Sequence, residues 1–159
     1  MPMSEMAAVY TGGVVLRPRL EHRFPPFRSR TRWEPPTDLE REALGRNHPN
    51  VLIQGTPADI EQTLTLLQSS WYRARHAFPD IPLLEPDDRF TLFVREVGKL
   101  PPPALRLLAG LIDGAAGRVQ IVSTSSSPLY EQVARGEFPS DLYYRLNVMT
   151  FHRTRSSPR

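Results

Sequence analysis

The sequence predicts an α/β fold: a mostly parallel sheet with helices on both faces. Three observations carry that reading. Residues 51–53, 90–94 and 119–122 are short, almost wholly apolar runs, as expected of strands buried on both sides. Helix-period stripes separate these runs, and alternating strands and helices favour parallel pairing. Helix start and stop residues mark the boundaries: Thr56-Pro57, the prolines at 101–103, Gly114 and Pro128.

In chain order, Thr37-Asp38 caps a short helical piece at 39–44, and His48-Pro49 ends it. The run at 51–53 is the first strand, bounded by Gly55. A helix follows at once, with Thr56 as N-cap, Pro57 at the first helical position and Asp59 three residues after the cap. Ile60, Leu64, Leu67 and Trp71 form one buried stripe, so this helix is expected to run to about Arg75. Pro79, Pro82 and Pro86 make the next segment irregular. The strand at 90–94 precedes a helix whose Leu105, Leu108, Leu111 and Ile112 face inward and which Gly114 stops. A third strand at 119–122 leads into a polar run at 123–127. Short helices at 128–135 and 141–146 and a last strand at 148–151 complete the pattern.

The chain has 159 residues, enough for one domain with its own core. Cysteine is absent, which excludes a disulfide framework, a thiolate metal site and a cysteine nucleophile. His22, His48, His76 and His152 are scattered without ligand spacing, and no metal site is expected. The serines at 123 and 125–127 sit in no nucleophile elbow. No apolar run is long enough to cross a bilayer, and the first residues lack the pattern of a secretory signal, so a cytoplasmic location is expected. Residues 1–48 read as an Arg/Pro-rich arm, partly ordered, with a strand-like piece at 13–16 and six arginines against one glutamate in 17–32. Residues 49–151 form the core, and 152–159 are a polar tail. Every lysine or arginine in the chain except Lys99 is an arginine, which suits phosphate contact and equally a GC-rich coding bias.

Two stretches carry a family likeness. Residues 136–148 read G-E-F-P-S-D-L-Y-Y-R-L-N-V, and residues 91–100 read T-L-F-V-R-E-V-G-K-L. They resemble G-x-F-R-x-D-L-Y-Y-R-L-N-V and the Walker B strand T-L-F-L-D-E-I-G-E-L of the sigma-54 interaction domain. That domain is the AAA+ ATPase core of bacterial enhancer-binding transcription activators. The resemblance covers about 49–151 and implies a three-layer P-loop NTPase/AAA+-like core with a mostly parallel sheet. It also implies ATP and Mg²⁺ as cofactors, a helical lid and a loop that touches sigma-54. This sequence has no counterpart of that loop within 71–89, and the reading expects no lid.

Carried over residue by residue, the resemblance exposes departures at the positions that would handle ATP. A P-loop requires G-x-x-x-x-G-K-[ST] after its first strand, so that backbone N–H groups and a lysine surround the phosphates. Here Gly55 is kept, Ile60 stands at the second glycine and Glu61 at the lysine. A β-branched residue resists the backbone conformations that glycine supplies. The Walker B pair is Arg95-Glu96, so a guanidinium replaces the magnesium-binding aspartate. Glu96 is expected to be a structural carboxylate paired with Arg95 or another arginine. The sensor asparagine falls on Ser126; of two arginines that in the family reach a neighbouring subunit's nucleotide, one is Pro139 and the other is kept as Arg145.

These residues point to a degenerate ATPase: a non-catalytic AAA+-like regulatory or interaction module related to sigma-54-dependent activators, with neither ATP nor metal as a cofactor. A protein partner, self-association or an intact AAA+ activator would be its target. Two alternatives stay open. One is an ATP-binding transcriptional regulator with weak nucleotide binding. The other is DNA or RNA binding through the arginine-rich arm.

Overall fold

The computed structural model describes residues 35–83 and 85–152. The strand-like piece at 13–16, the arginine-rich stretch at 17–32 and the tail from 153 onward lie outside them. Five strands form one sheet: β1 (Val51–Gln54), β2 (Ala74–Ala77), β3 (Phe90–Val94), β4 (Val119–Ser125) and β5 (Met149–His152), in the spatial order β2-β3-β4-β1-β5. Every pairing is parallel; Leu52, for example, lies beside Ser123 on one side and Thr150 on the other. The helices are α1 (Asp38–Asn47), α2 (Pro57–Leu66), α3 (Pro102–Ala115), α4 (Leu129–Ala134) and α5 (Ser140–Leu146).

The sheet separates two apolar clusters. On one face Leu52, Phe90, Leu92 and Ile121 pack against Leu105 and Leu108 of α3, Leu129 of α4 and Leu142 and Leu146 of α5. On the other, Val51, Ile53 and Val122 pack against Leu44 of α1 and Ile60 of α2, with Leu67 and Trp71 beyond the helix end. Covering on both sides is what wholly apolar strands require. The α/β reading, the parallel sheet and the three layers are therefore as the sequence predicts. Helix α1 falls inside the segment read as the N-terminal arm, yet its Leu44 is fully buried. Thr37 caps it, and the Glu40 carboxylate accepts from the Thr37 backbone N–H in return, a reciprocal capping box.

Three boundaries differ from expectation, each for a visible reason. Helix α2 stops at Leu66 instead of continuing to about Arg75. The Thr63 and Thr65 hydroxyls donate back to the Asp59 and Glu61 carbonyls at 2.8 and 2.9 Å, a competition that weakens a helix. The Arg75 guanidinium then donates to the Gln68 and Tyr72 carbonyls at 2.7 and 3.3 Å, holding the turn that leads into β2. Trp71 is buried as its stripe predicts, but outside the helix. Strand β4 runs on through Ser125, where the sequence suggested a polar loop. Its hydroxyls all have partners: Ser123 donates to the Val51 carbonyl at 3.2 Å, Thr124 accepts from the Glu96 N–H just past β3 at 3.2 Å, and Ser125 donates to the Ser127 carbonyl at 2.6 Å. Helix α3 passes through Gly114 and ends where Ala116 and Gly117 both take positive φ.

Polar side chains, with Thr91 and Gln120 fully buried and Asn50 half-buried, tie the lower ends of the strands together. Asn50 accepts from the Ile121 N–H at 2.8 Å and donates to the Arg145 carbonyl at 2.9 Å, linking the start of β1 to β4 and α5. Gln120 donates to the Pro49 carbonyl at 3.1 Å and accepts from Thr91 at 2.9 Å, and Thr91 accepts from the Tyr72 N–H at 2.9 Å. Leaving such groups without partners costs about 1–3 kcal/mol each. The variant Asn50→Ala should therefore lose about 2 kcal/mol of unfolding free energy. Urea denaturation followed by circular dichroism would show this as a lower midpoint with an unchanged slope.

Candidate functional site

In open parallel sheets, ligands bind beyond the carboxyl ends of the strands where the strand order reverses. Here the ends of β1, β4 and β3 meet at that place. Gly55 follows β1 with φ 155°, a value that side chains other than glycine's rarely permit. Its N–H donates to the Ser125 carbonyl at 3.2 Å, so β1 and β4 stay joined to their last residues. Only Gly55 and Thr56 separate β1 from α2. The Thr56 hydroxyl accepts from the Asp59 N–H at 3.3 Å, and Asp59 adds an acidic residue to the first turn. Residues 57–61, the span over which a P-loop would curl, are thus already helical. Ile60, at the position of the second glycine, is buried in the core.

The two residues that the resemblance sets at Walker positions meet. The Arg95 guanidinium, just past β3, forms an ion pair with the Glu61 carboxylate on α2. The hydrogen bond from Arg95 holds the Glu61 carboxyl below its usual range and, reciprocally, raises Arg95. Both side chains are more than half exposed, at 57% and 62%, so solvent screening limits the energy of the pair.

Glu96 does not pair with Arg95, contrary to expectation. It takes a left-handed backbone conformation, φ 49°, that turns its side chain toward β4. Its carboxylate accepts from the Ser126 N–H and hydroxyl at 3.3 and 2.9 Å and lies 3.4 Å from the Lys99 ammonium. The positions matched to the family's catalytic glutamate and sensor are therefore brought together, with Lys99 as a third member. The three-residue spacing from Glu96 to Lys99 was the available sequence signal for that contact. Arg145 is elsewhere. Its carbonyl is tied to Asn50 at the opposite end of β1, and its guanidinium pairs with Asp113 of α3. Pro139, at the position of the other arginine, is the N-cap of α5.

A magnesium–triphosphate group does not fit these residues. Glu61 and Asp59 put negative charge where phosphate would need neutralising, Arg95 would repel a cation, and the α2 terminus is closed by its own threonine. Among the described residues no cluster of three or more histidines or carboxylates could hold a metal. None of the described helices is long and apolar enough to cross a membrane.

The strand order and layers define the class: an α/β fold of the P-loop NTPase/AAA+ type. The structure of NtrX from Brucella abortus superposes on 93% of this chain and 43% of its own with a TM-score of 0.55 at 15% identity. The P-loop NTPase domain of the sigma-54 transport activator from E. coli gives a TM-score of 0.50 at 15% identity, covering 71% of this chain and 96% of that one. Within the class the relationship is more particular: residues 82–152 match the sigma-54 interaction domain. Transcriptional regulatory protein GlrR of Escherichia coli (strain K12) is 37% identical over 71 residues, covering 38% of this chain. The Nif-specific regulatory protein of Azotobacter vinelandii is 38% identical over 76 residues, covering 41%. The chain spans only 16% and 15% of those two regulators. It is related to sigma-54-dependent transcription activators through this segment.

Removing the guanidinium in Arg95→Ala should raise the Glu61 pKa back toward the ordinary carboxylate value, as followed by NMR titration of its side-chain carboxyl. A folded-state pKa held low adds stability above the unfolded value, lost as pH falls through the folded one. A Glu61/Arg95 double-mutant cycle should give a coupling below about 1 kcal/mol at neutral pH, vanishing in acid.

Proposed function

We propose that this chain is a non-catalytic AAA+-like regulatory or interaction module, related to sigma-54-dependent transcription activators and working through protein contacts. The observation that carries the reading is the Glu61–Arg95 ion pair, in which both charges are the reverse of those that the resemblance puts at these positions. In P-loop enzymes a lysine neutralises the phosphates and an aspartate holds the metal, so each reversal opposes the charge that the reaction brings in. The early start of α2 supports the same reading, because a helix that begins at Pro57 leaves no loop of backbone N–H groups to wrap a triphosphate. Glu96 adds to it: its carboxylate is engaged by Ser126 and Lys99 rather than directed at a water.

Losing electrostatic groups of this kind typically costs several kcal/mol of transition-state stabilisation each. What persists in the chain is the packing that supports an interaction surface: the sheet, its two apolar clusters and the α4–α5 pair. Calorimetric titration with ATP and Mg²⁺ into the millimolar range tests the reading. The expected outcome is no saturable heat from a protein shown by circular dichroism to be folded. Saturable binding abolished by Arg95→Ala would overturn it.

A further inference from the structure

Strand β2 is an edge of the sheet, and the surface beside it has the features of a peptide-docking site. In a parallel ladder, alternate residues direct their N–H and C=O groups to opposite sides. The Phe78 N–H donates to the Phe93 carbonyl at 2.9 Å, so Ala74 and His76 share that inward direction while Arg75 and Ala77 turn outward. The Ala77 carbonyl is taken by the Asp80 N–H at 2.8 Å. The N–H groups of Arg75 and Ala77 and the Arg75 carbonyl face an edge that has no partner strand among the described residues.

A second feature adjoins this edge. Helices α1 and α2 cover β1 and its neighbours but leave Arg75 and Ala77 of β2 exposed and Phe93 of β3 half-buried on the same face. There a groove of about 250 Å³ is lined by Leu64, Gln68, Trp71, Arg75, Phe93 and the mutually paired Glu61 and Arg95, among others, so its net charge comes from Arg75. Trp71 and Phe93 meet edge to face, with ring centres 6.1 Å apart; Trp71 is only 6% exposed, so Phe93 presents most of the apolar surface over it. Arg75 belongs to both features: its backbone lies on the free edge and its side chain lines the groove.

We propose that β2 accepts an extended acidic peptide from a partner protein as a sixth strand, with an apolar side chain on Trp71 and Phe93 and carboxylates on Arg75 and Arg73. Main-chain hydrogen bonds to an exposed edge supply affinity in this mode, and pockets for alternate side chains supply selectivity. The sign of the partner follows from the charges. Residues 71–78 hold Arg73 and Arg75 and no acidic residue. A second copy pairing β2 with β2 would set these arginines against each other, and like charges across a strand pair are destabilising. Residues 17–32, with their six arginines, match the edge no better. This inference deepens the interaction role proposed above and rests on it. Its test does not involve nucleotide, so the two can fail separately.

The experiment is amide hydrogen exchange on the full chain, with and without acetyl-Glu-Thr-Glu-Thr-Val-Thr-amide, whose two glutamates and valine share one face of an extended strand. The Arg75 and Ala77 amides should slow about tenfold once the peptide is at about ten times its Kd. The Ala74 and His76 amides, already directed at β3, should change much less. The peptide with lysine in place of glutamate should give no slowing, and Arg73→Glu, which leaves the Arg75 bonds to Gln68 and Tyr72 in place, should weaken the slowing by the acidic peptide. Ala77→Pro removes an outward N–H at an edge position that tolerates proline, and should abolish the slowing while the far-ultraviolet spectrum stays the same. Equal slowing by both peptides, or none by either, would overturn the proposal. So would slow Arg75 and Ala77 exchange in the free chain, which would assign the edge to another segment of the chain itself.

Discussion

A parallel sheet has no tight hairpins to hold its strands in register, so something else must. In this protein it is the line of buried amides and hydroxyls at the lower ends of the strands, from Tyr72 through Thr91 and Gln120 to Pro49, with Asn50 bridging β1, β4 and α5. Each bond contributes a modest net amount, but an unpartnered donor there would be costly, so a slipped register is penalised at several points together. The apolar clusters on both faces drive association of the layers, and the polar line decides which residues stand opposite which.

With the register held below, the upper ends of β1, β4 and β3 converge on one place, as they would in a nucleotide-binding fold. Converging strands are not a phosphate site by themselves. That needs a loop that leaves its N–H groups pointing inward, and here the chain enters α2 as soon as Thr56 can cap it. The local chemistry of the cap and the absence of the loop are the same fact. Charge then follows geometry: the surface above the strands is occupied by Arg95 with Glu61 and by Glu96 with Ser126 and Lys99.

The strands at 90–94 and 119–122 and the helices after the prolines were legible because burial on both faces writes itself as continuous apolar residues, and caps write themselves as Thr-Pro or Pro. Strand β2 was not. An edge strand with exposed Ala74, Arg75 and Ala77 carries no apolar run, and the stripe ending at Trp71 looked like more helix. The serines of β4 were misread for a related reason: a hydroxyl that can donate to a neighbouring strand's carbonyl is as much at home in a sheet as in a loop. At the site, the residues out of keeping with nucleotide chemistry stood out singly, but their partners did not. Nothing in the spacing of Glu61 and Arg95 announces that α2 and β3 bring them into contact, and Arg145 gives no sign in one dimension that Asp113 awaits it.

The Glu61–Arg95 contact has a consequence for how this chain can have come to its present form. As the resemblance aligns them, positions 61 and 95 each hold the charge opposite to the one the sigma-54 pattern puts there, and the pair is still attractive. A single reversal would have set lysine against arginine, or glutamate against aspartate, across the same short gap, and like charges so placed repel. On the reading proposed above, the two positions would have changed together or through a neutral residue. On that reading, no single substitution at either position would restore a lysine–aspartate arrangement.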